Sequence, residues 1–336
     1  ALALTVGLDE GWDLACEGDT KDLEQPNAAT WSSAAEAIRC ADYLLIAAGA
    51  GFSADSGLPV YQDIAKVAAY EKMGLTYQDL CRPELCTEDP ELFFGFWGDC
   101  LSLYRNTECH EGFDIVSRWT DELTKLRGEN RTYVYTSNVD GHFMRTRLSD
   151  SVYEIHGSIE RWVCSSDVCE TSRQPVVIPK EFQFRIDKDT RRALSGSPLS
   201  PAEPTEQVDW TQNHPSCRRC GALMRPAILF FGEAGRMYDL VSQPVDRYDK
   251  WIALMEAALA EDSDKKLVIL ELGCGIRVPS VRLEMEEVLT DAPHGHGLLL
   301  RVNPDFPLVR PSLASRALPI QSSALSALKA IDAELQ

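Results

Sequence analysis

The 336-residue sequence lacks a long apolar run. None approaches the about 20 residues that a membrane-spanning helix needs, and the first residues carry no basic segment ahead of their apolar positions. With 44% hydrophobic and 25% charged residues, the chain also lacks the composition of a disordered or collagenous protein. We therefore expect a soluble, intracellular protein without a membrane partner, nuclear or cytoplasmic, with a mitochondrial location left open.

Positive charge is scarce as well. Against 52 acidic residues there are only 33 Lys and Arg, which gives a formal net charge of −19. Such a chain repels nucleic acid phosphates, so we expect no direct nucleic acid binding, whereas a Lys-rich protein segment is a compatible partner. An acidic surface also serves simple solubility. The 11 cysteines are an odd number and mostly scattered, which argues against a secreted disulfide framework.

Short apolar runs alternate with amphipathic stretches along much of the chain. The predicted strands are Tyr43 to Ala48, Thr132 to Thr136, Val152 to Ile155, Leu267 to Leu272, Gly297 to Val302 and a weaker run near Leu318 to Ile320. The predicted helices are Trp31 to Ala41, Asp249 to Ala260, Ser280 to Leu289 and Ala324 to Leu335. This pattern predicts an α/β fold, a Rossmann-like doubly wound parallel sheet.

Two segments interrupt the alternation. Residues 58–110 are predicted to be helical without a strand, and residues 158–225 are predicted to be irregular and contain four cysteines. We expect these to be a helical insertion and a zinc-binding insertion that together form a smaller lobe. The Rossmann-like domain then comprises residues 30–57, 111–157 and 226–336, and residues 1–29 are an N-terminal extension.

A glycine-rich turn follows the first predicted strand. Residues 49–54 read GAGFSA and fit the G-x-G-x-x-A dinucleotide pattern, in which glycines let backbone N–H groups approach a pyrophosphate. Alone this signal is weak, because such turns also serve close packing. Gly57 and Pro59 should end the following helix after about one turn, and no acid-ended second strand follows. The turn therefore indicates a modified dinucleotide site and not a dehydrogenase.

Polar residues follow the next two predicted strands. Asn138 and Asp140 come after the strand that ends at Thr136, and an Asn amide with an Asp carboxylate could pair with a carboxamide. His156 and Gly157 follow the third strand, where histidine is a candidate general base. Each feature alone has an ordinary structural explanation. Together, at three strand ends, they predict a single crevice.

Four cysteines are spaced like metal ligands. Cys164 and Cys169 are separated by four residues, and Cys217 and Cys220 by two, with Gly221 placed to allow a knuckle turn. Four thiolates complete tetrahedral zinc coordination and leave no open position, so the predicted Zn²⁺ is structural.

In this order, the motifs resemble those of the sirtuins, the NAD-dependent protein lysine deacylases. Residues 49–59, GAGFSADSGLP, are similar to the family's G-A-G-x-S-x-x-S-G-I-P, residues 136–140, TSNVD, to its T-Q-N-I-D, and His156-Gly157 to its catalytic H-G. The four cysteines take the position of its zinc site, and residues 225–233, RPAILFFGE, resemble its substrate-pairing segment. The similarity extends from about Trp31 to Leu335.

The resemblance implies a reaction and a set of roles. An acyl-lysine protein or peptide would be deacylated, with acetyl as the expected acyl group. The acyl group would be transferred to ADP-ribose, and nicotinamide would be released from NAD⁺. The implied catalytic residues are His156, Asn138 and Asp140. The implied cofactor-binding residues are Gly49, Ala50, Gly51, Ser53, Ala54, Asp55, Tyr61, Gln62, Ser137, Asn138, Asp140, His156, Gly273, Cys274, Gly275 and Asn303. The implied substrate-binding residues are Ile228, Leu229, Phe230, Phe231, Gly232 and Glu233.

Several positions depart from the family pattern. Gln62 stands where the family has a cation, Ser137 replaces its Gln, and Cys274 and Gly275 replace Thr and Ser, so side-chain contacts to NAD⁺ are thinned. Trp97 and Cys100 occupy the places of a Tyr and an Arg found in members that prefer acidic acyl groups, which predicts a preference for neutral acyl groups.

Two further functions remain open from the residues. A protein ADP-ribosyltransferase or an NAD glycohydrolase would use the same bond cleavage with another nucleophile. A catalytically weak NAD-binding module would keep the fold without the reaction, although a pure binder does not require His156. The substrate protein, the acyl chain and the oligomeric state are not determined by the sequence.

Overall fold

A computed structural model describes residues 23–60, 63, 67–242 and 244–336. The helices are α1 (Ala28–Arg39), α2 (Ala50–Ala54), α3 (Ala68–Lys72), α4 (Tyr77–Leu80), α5 (Leu85–Glu88), α6 (Pro90–Asn106), α7 (Glu111–Arg127), α8 (Arg236–Ser242), α9 (Val245–Glu261), α10 (Ser280–Asp291) and α11 (Ala324–Leu335). The strands are β1 (Tyr43–Ala48), β2 (Thr132–Thr136), β3 (Val152–Glu154), β4 (Gly157–Cys164), β5 (Val176–Val177), β6 (Val208–Asp209), β7 (Ser216–Cys217), β8 (Met224–Ile228), β9 (Leu267–Leu272), β10 (Gly297–Val302) and β11 (Ala317–Ile320).

The central sheet is parallel and has the strand order β11-β10-β9-β1-β2-β3. Its middle strands β1 and β9 are buried along their whole length, as expected when helices cover both faces. The order of the strands reverses between β1 and β9. In open parallel sheets, a ligand crevice forms beyond the carboxyl ends of the strands at this reversal.

Alternate residues of β1 pack on opposite faces of the sheet. Leu44 and Ile46 share a core with α1, α7 and α11, whereas Leu45 and Ala47 share one with α9 and α10. The sheet is therefore doubly wound, as predicted. In the part of the chain that the structure describes, no helix is both long and apolar enough to cross a membrane.

The predicted elements of the sheet are confirmed with small shifts at their ends. The strand predicted over Val152 to Ile155 ends at Glu154, since Gly157, with a φ of +86°, turns the chain out of the sheet. Helix α1 begins at Ala28, before the predicted Trp31, because the Asn27 side chain accepts hydrogen bonds from the backbone N–H groups of Ala29 and Thr30. Helix α2 is as short as Gly57 and Pro59 predict.

The prediction that the second insertion is irregular was wrong at its start. Residues 157–164 form the eight-residue strand β4, which pairs antiparallel with β8 and β5. The charged pair Glu160 and Arg161 interrupts its apolar run and conceals the strand in the sequence. Between β4 and β8 the chain forms loops with the two-residue strands β5, β6 and β7 and a 3-10 helix at Glu170–Arg173.

Both insertions contribute to one aromatic core. Phe94 of α6 stacks on Trp162 of β4 with ring centroids 6.1 Å apart, and it also stacks on Phe184. Helix α6 begins where Asp89 accepts a hydrogen bond from the N–H of Leu92 and Pro90 takes the first helical position. This shared core supports a single smaller lobe. We propose that the two insertions have the boundaries predicted from the sequence, residues 58–110 and 158–225.

Candidate functional site

A cavity of about 750 Å³ opens at the carboxyl ends of β1, β2, β3 and β9. The register of the parallel sheet places Ala48, Thr136 and Glu154 side by side, so the residues that follow them meet at one edge. Most of the predicted cofactor-binding residues line this cavity. Tyr61 and Gln62 lie outside the described residues.

One hydrogen-bonded network joins the first two strand ends. The Asn138 Nδ2 donates to the Gly49 carbonyl at 3.0 Å and to the Ser53 Oγ at 3.1 Å, and the Ser53 Oγ donates to the Asp140 Oδ2 at 2.6 Å. The Asp140 Oδ1 accepts a hydrogen bond from the His142 N–H. Both amide hydrogens of Asn138 are thereby used, which leaves its carbonyl oxygen for a ligand.

His156 lies in the wall of the same cavity and has an unpaired ring nitrogen. Its ring lines the cavity, and its Nε2 is buried without a hydrogen-bond partner among the described residues. Burial lowers the pKa of His156 to about 4, and a hydrogen bond to the Ser137 backbone only partly opposes this. The imidazole is therefore neutral at pH 7, which is the state that a general base requires.

The glycines of two loops allow their backbones to touch. A Cβ on Gly51 would lie 2.8 Å from the Cα of Gly273, and one on Gly49 would lie 2.8 Å from the Cα of Cys274. Gly273 has a φ of +64°, and a Cβ there would lie 2.4 Å from Gly51. Side chains at these positions would separate the loop after β1 from the loop after β9, so the glycines shape the cavity wall.

The side chains of Cys274, after β9, and of Asn303, after β10, contact the protein's own backbone. The Cys274 thiol faces the carbonyls of Ala47 and Leu272 and is buried, which holds its pKa well above the usual range. Asn303 uses its amide nitrogen on the Cys274 carbonyl and its amide oxygen on two backbone N–H groups. Both residues line the cavity, but the polar atoms of the Asn303 side chain are engaged by backbone groups.

The segment after β8 crosses the cavity mouth. The Leu229 N–H donates to the His156 carbonyl at 2.9 Å, and the Phe231 N–H donates to the Cys81 carbonyl at 3.2 Å. Residues 228–232, which the sequence analysis assigns to substrate binding, line the cavity. Glu233 lies outside the lining, because its carboxylate accepts hydrogen bonds from Arg225 and from the Phe230 N–H.

One wall of the cavity was predicted only in part, since the sequence analysis named Trp97 but not Tyr77, Cys81 or Tyr104. It is formed by Tyr77, Cys81, Trp97, Tyr104 and Val139. None of these side chains is charged at pH 7, and burial holds the pKa of Tyr104 well above its usual range. Trp97 and Tyr104 are two helical turns apart on α6, a spacing that would have identified a shared face. Cys100 is buried outside the lining.

The four predicted metal ligands converge. Their Sγ atoms all lie within 4.8 Å of one another, with Cys164 to Cys220 at 3.5 Å and Cys169 to Cys217 at 3.8 Å. Tetrahedral thiolates at about 2.3 Å from zinc would be separated by about 3.8 Å, so the set fits this ion. Gly221, with a φ of +78°, closes the knuckle through a hydrogen bond to the Cys217 carbonyl.

Comparisons with known proteins agree with this geometry. A model of the Sir2 family matches residues 49–255. An NAD-dependent protein deacylase of Corynebacterium glutamicum is 27% identical over 254 residues, which cover 74% of this chain and 78% of that protein. An NAD-dependent protein deacylase of Aquifex aeolicus is 26% identical over 186 residues, 55% of this chain, and the match spans only 60% of that protein's length. The crystal structure of a Sir2 homolog–NAD complex superposes with a TM-score of 0.56 at 19% identity, covering 90% of this chain and 93% of that one, which establishes a shared fold.

Proposed function

The chain belongs to the Sir2 family, and on this premise we propose that it is an NAD-dependent protein lysine deacylase. It transfers an acyl group from lysine to ADP-ribose and releases nicotinamide. The observation that carries this proposal is His156, a neutral imidazole with an unpaired Nε2, placed in one cavity with the Asn138–Asp140 network and the segment after β8.

Residues at the carboxyl ends of the strands bind and orient NAD⁺. NAD⁺ supplies the electrophilic anomeric carbon when it is bound. Asn138 offers its free carbonyl oxygen to the nicotinamide carboxamide, and Ser53 and His142 fix the orientation of Asp140 beside it. The glycine loops after β1 and β9 offer backbone groups to the diphosphate, as their close approach supports.

His156 acts as the general base. With NAD⁺ bound, the acyl oxygen of the substrate would replace nicotinamide at the anomeric carbon. The His156 Nε2 would accept the proton from a ribose hydroxyl, whose oxygen would attack the acyl carbon, and water would complete the release of the lysine amine. An imidazole that is already deprotonated above pH 5 serves this step over the whole physiological range. The contact from Leu229 N–H to the His156 carbonyl holds the base against the peptide-binding segment.

The acyl-lysine peptide binds between the two lobes along residues 228–232. Residues 229 and 230 lie between strand β8 and the turn at residues 231–232, and strand addition along this segment would give affinity with little side-chain selectivity. The uncharged wall of Tyr77, Cys81, Trp97 and Tyr104 receives the acyl group and favours neutral chains. Zn²⁺ held by Cys164, Cys169, Cys217 and Cys220 stabilises the smaller lobe and takes no part in the reaction.

Product identification tests the proposal. The full chain is incubated with NAD⁺ and an acetyl-lysine peptide, and the products are identified by mass spectrometry. We expect O-acetyl-ADP-ribose and free lysine peptide. ADP-ribosylated protein would instead indicate a transferase, free ADP-ribose alone a glycohydrolase, and no product a binding module.

The variant His156→Ala tests whether His156 acts in catalysis rather than in NAD⁺ binding. Loss of a general base should lower kcat by about 100-fold or more, while NAD⁺ binding measured by calorimetry persists. His294→Ala is the matched control, since His294 is exposed in the loop before β10. Unchanged turnover in His156→Ala would refute the assigned role.

A further inference from the structure

A group of charged side chains is fully buried beneath the loop after β9. Glu271 of β9 and Arg301 of β10 are directly paired in the sheet, and the Arg301 Nη2 donates to the Glu271 Oε2 at 2.8 Å. The Arg301 Nη1 donates to the Glu286 Oε1 at 2.8 Å, and Arg282 lies one turn before Glu286 on α10. All four residues are 0% exposed. We call Glu271, Arg282, Glu286 and Arg301 the buried ion cluster.

Stability alone gives no reason for this cluster. Burying charge costs desolvation free energy, and buried ion pairs can often be replaced by apolar residues without loss of stability. The cluster is neutral, with two cations and two anions, and Arg310 adds a contact to Glu286 from the surface side. Burial would lower the pKa of Arg301, but the carboxylates of Glu271 and Glu286 outweigh it and raise the pKa. Arg301 therefore stays charged, and the contacts of the buried ion cluster indicate which parts of the chain it holds.

Arg282 directs its donors at backbone carbonyls. Its Nη1 donates to the Cys274 carbonyl at 3.1 Å and to the Phe306 carbonyl at 2.9 Å, and its Nη2 donates to the Leu308 carbonyl at 3.0 Å. Its Nη1 lies 3.7 Å from the Glu271 Oε1, an ion pair longer than a hydrogen bond. Glu271 thus serves as a counter-charge, while the planar guanidinium joins two loops.

Asn303 completes the connection between these loops. Its Nδ2 donates to the same Cys274 carbonyl at 2.9 Å, and its Oδ1 accepts from the N–H groups of Asp305 and Phe306. Residues 273–281 and 303–306 both line the cavity. The carbonyl of Cys274 is therefore the point where Arg282 and Asn303 tie the two loops together.

We propose that Arg282 is a positioning residue for the dinucleotide. It fixes residues 273–281 and 303–308 before the ligand arrives, so that their backbone groups receive the adenosine and diphosphate portion of NAD⁺. This inference rests on the proposed function. Gly275 has no side chain and the Cys274 thiol faces the sheet, so preorganised backbone replaces side-chain contacts and lowers the entropy lost on binding.

Calorimetric titration of the full chain with ADP-ribose and with NAD⁺ tests this role. Arg282→Met should raise the Kd for both ligands by about tenfold, and Arg282→Lys should raise it less, because lysine keeps the charge without the planar donors. KM for NAD⁺ should rise by the same factor while kcat changes by less than about twofold.

Arg105→Lys is the matched control. Arg105 also donates to several backbone carbonyls, among them those of Ile178 and Pro179, and it pairs with Glu160, but all of these lie in the smaller lobe. Its substitution should lower the melting temperature without changing the Kd for ADP-ribose. Equal Kd values in wild type and folded Arg282→Met would overturn the role of Arg282. A wild-type chain that binds neither ligand would overturn both this inference and the proposed function.

Hydrogen exchange on the wild type needs no variant and decides the matter if both substitutions unfold the chain. The hydrogen-bonded amides of Gly273, Asn303, Asp305 and Phe306 should be protected without ligand, and ADP-ribose should add little further protection to them. Rapid exchange of these amides that slows only on ligand binding would show that the loops are not fixed in advance, which would overturn the proposal.

Discussion

The two halves of the cavity are built in opposite ways. At the ends of β1, β2 and β3, polar side chains project into the cavity and are hydrogen-bonded to one another, as Ser53, Asn138 and Asp140 show. Beyond β9 and β10, the side chains of Arg282 and Asn303 instead bind the backbone of the loops that line the cavity. The first half presents reactive groups, and the second presents a rigid surface. Substitutions should therefore affect chemistry in the first half and affinity in the second.

Removal of zinc should have the largest effect and should separate the halves. Cys217→Ser, or treatment with a chelator, should abolish deacylation, because β8 and the acyl wall depend on the smaller lobe. The Kd for ADP-ribose should change by no more than about threefold, since the loops after β9 belong to the central sheet. Assays of turnover and calorimetry check this, with Cys40→Ser, at an exposed cysteine, as control. Retained deacylation in zinc-free protein would contradict it.

Asp140→Asn should affect chemistry far more than affinity. It weakens the hydrogen bonds from Ser53 and the His142 N–H, and the loss of a charged acceptor should lower kcat by about 100-fold. ADP-ribose binding should persist. Steady-state kinetics of both variants measure the effect. Asp150→Asn is the control, because Asp150 is an exposed carboxylate on the same segment. A mainly increased KM for NAD⁺ would show that this half also works through affinity.

Acyl selectivity sharpens the contrast within the first half. A carboxylate placed against Tyr77, Trp97 and Tyr104 would lose hydration without gaining a cation. The kcat/KM for a hexanoyl-lysine peptide should therefore be at least about tenfold higher than that for an adipoyl-lysine peptide. The two acyl groups have the same number of carbons, and only adipoyl ends in a carboxylate. Competition between the two peptides measures this ratio directly. Equal rates would mean that the acyl group binds elsewhere.

The smallest expected effect is on stability and concerns His156. Its folded pKa of about 4 lies below the ordinary value of 6.5, so the unfolded chain takes up a proton first as pH falls. The contribution of the neutral His156 to the free energy of unfolding is therefore fully present above pH 6.5 and is lost as pH falls from 6.5 to 4. From pH 7 to 5, wild type should lose about 1 to 2 kcal/mol more unfolding free energy than His156→Asn. Denaturant titrations at both pH values test this, and identical losses would contradict the buried neutral imidazole.

Much of the first half could be predicted from the sequence. Strands β1 and β2 are short apolar runs, and Gly49, Asn138, Asp140 and His156 follow strand ends directly, where a parallel sheet brings them together. The wall formed by Tyr77 and Tyr104 was not predicted, because its residues come from a helical insertion and are selected only by how two lobes pack. Strand β4 was missed because Glu160 and Arg161 interrupt its apolar pattern.

The sequence by itself determined the parallel sheet, the strand-end motifs and the zinc ligands, since each depends on neighbours in the chain or on fixed spacing. Only the tertiary structure decided which way side chains face. The sequence predicts that Asn303 contacts the cofactor, whereas in the structure its side-chain amide is hydrogen-bonded to backbone groups. In the sequence, Glu271 and Arg301 are charged residues within two separate apolar strands. They become neighbours only because β9 and β10 pair in register. Pairing between distant segments sets the direction of each side chain, and local sequence does not encode it.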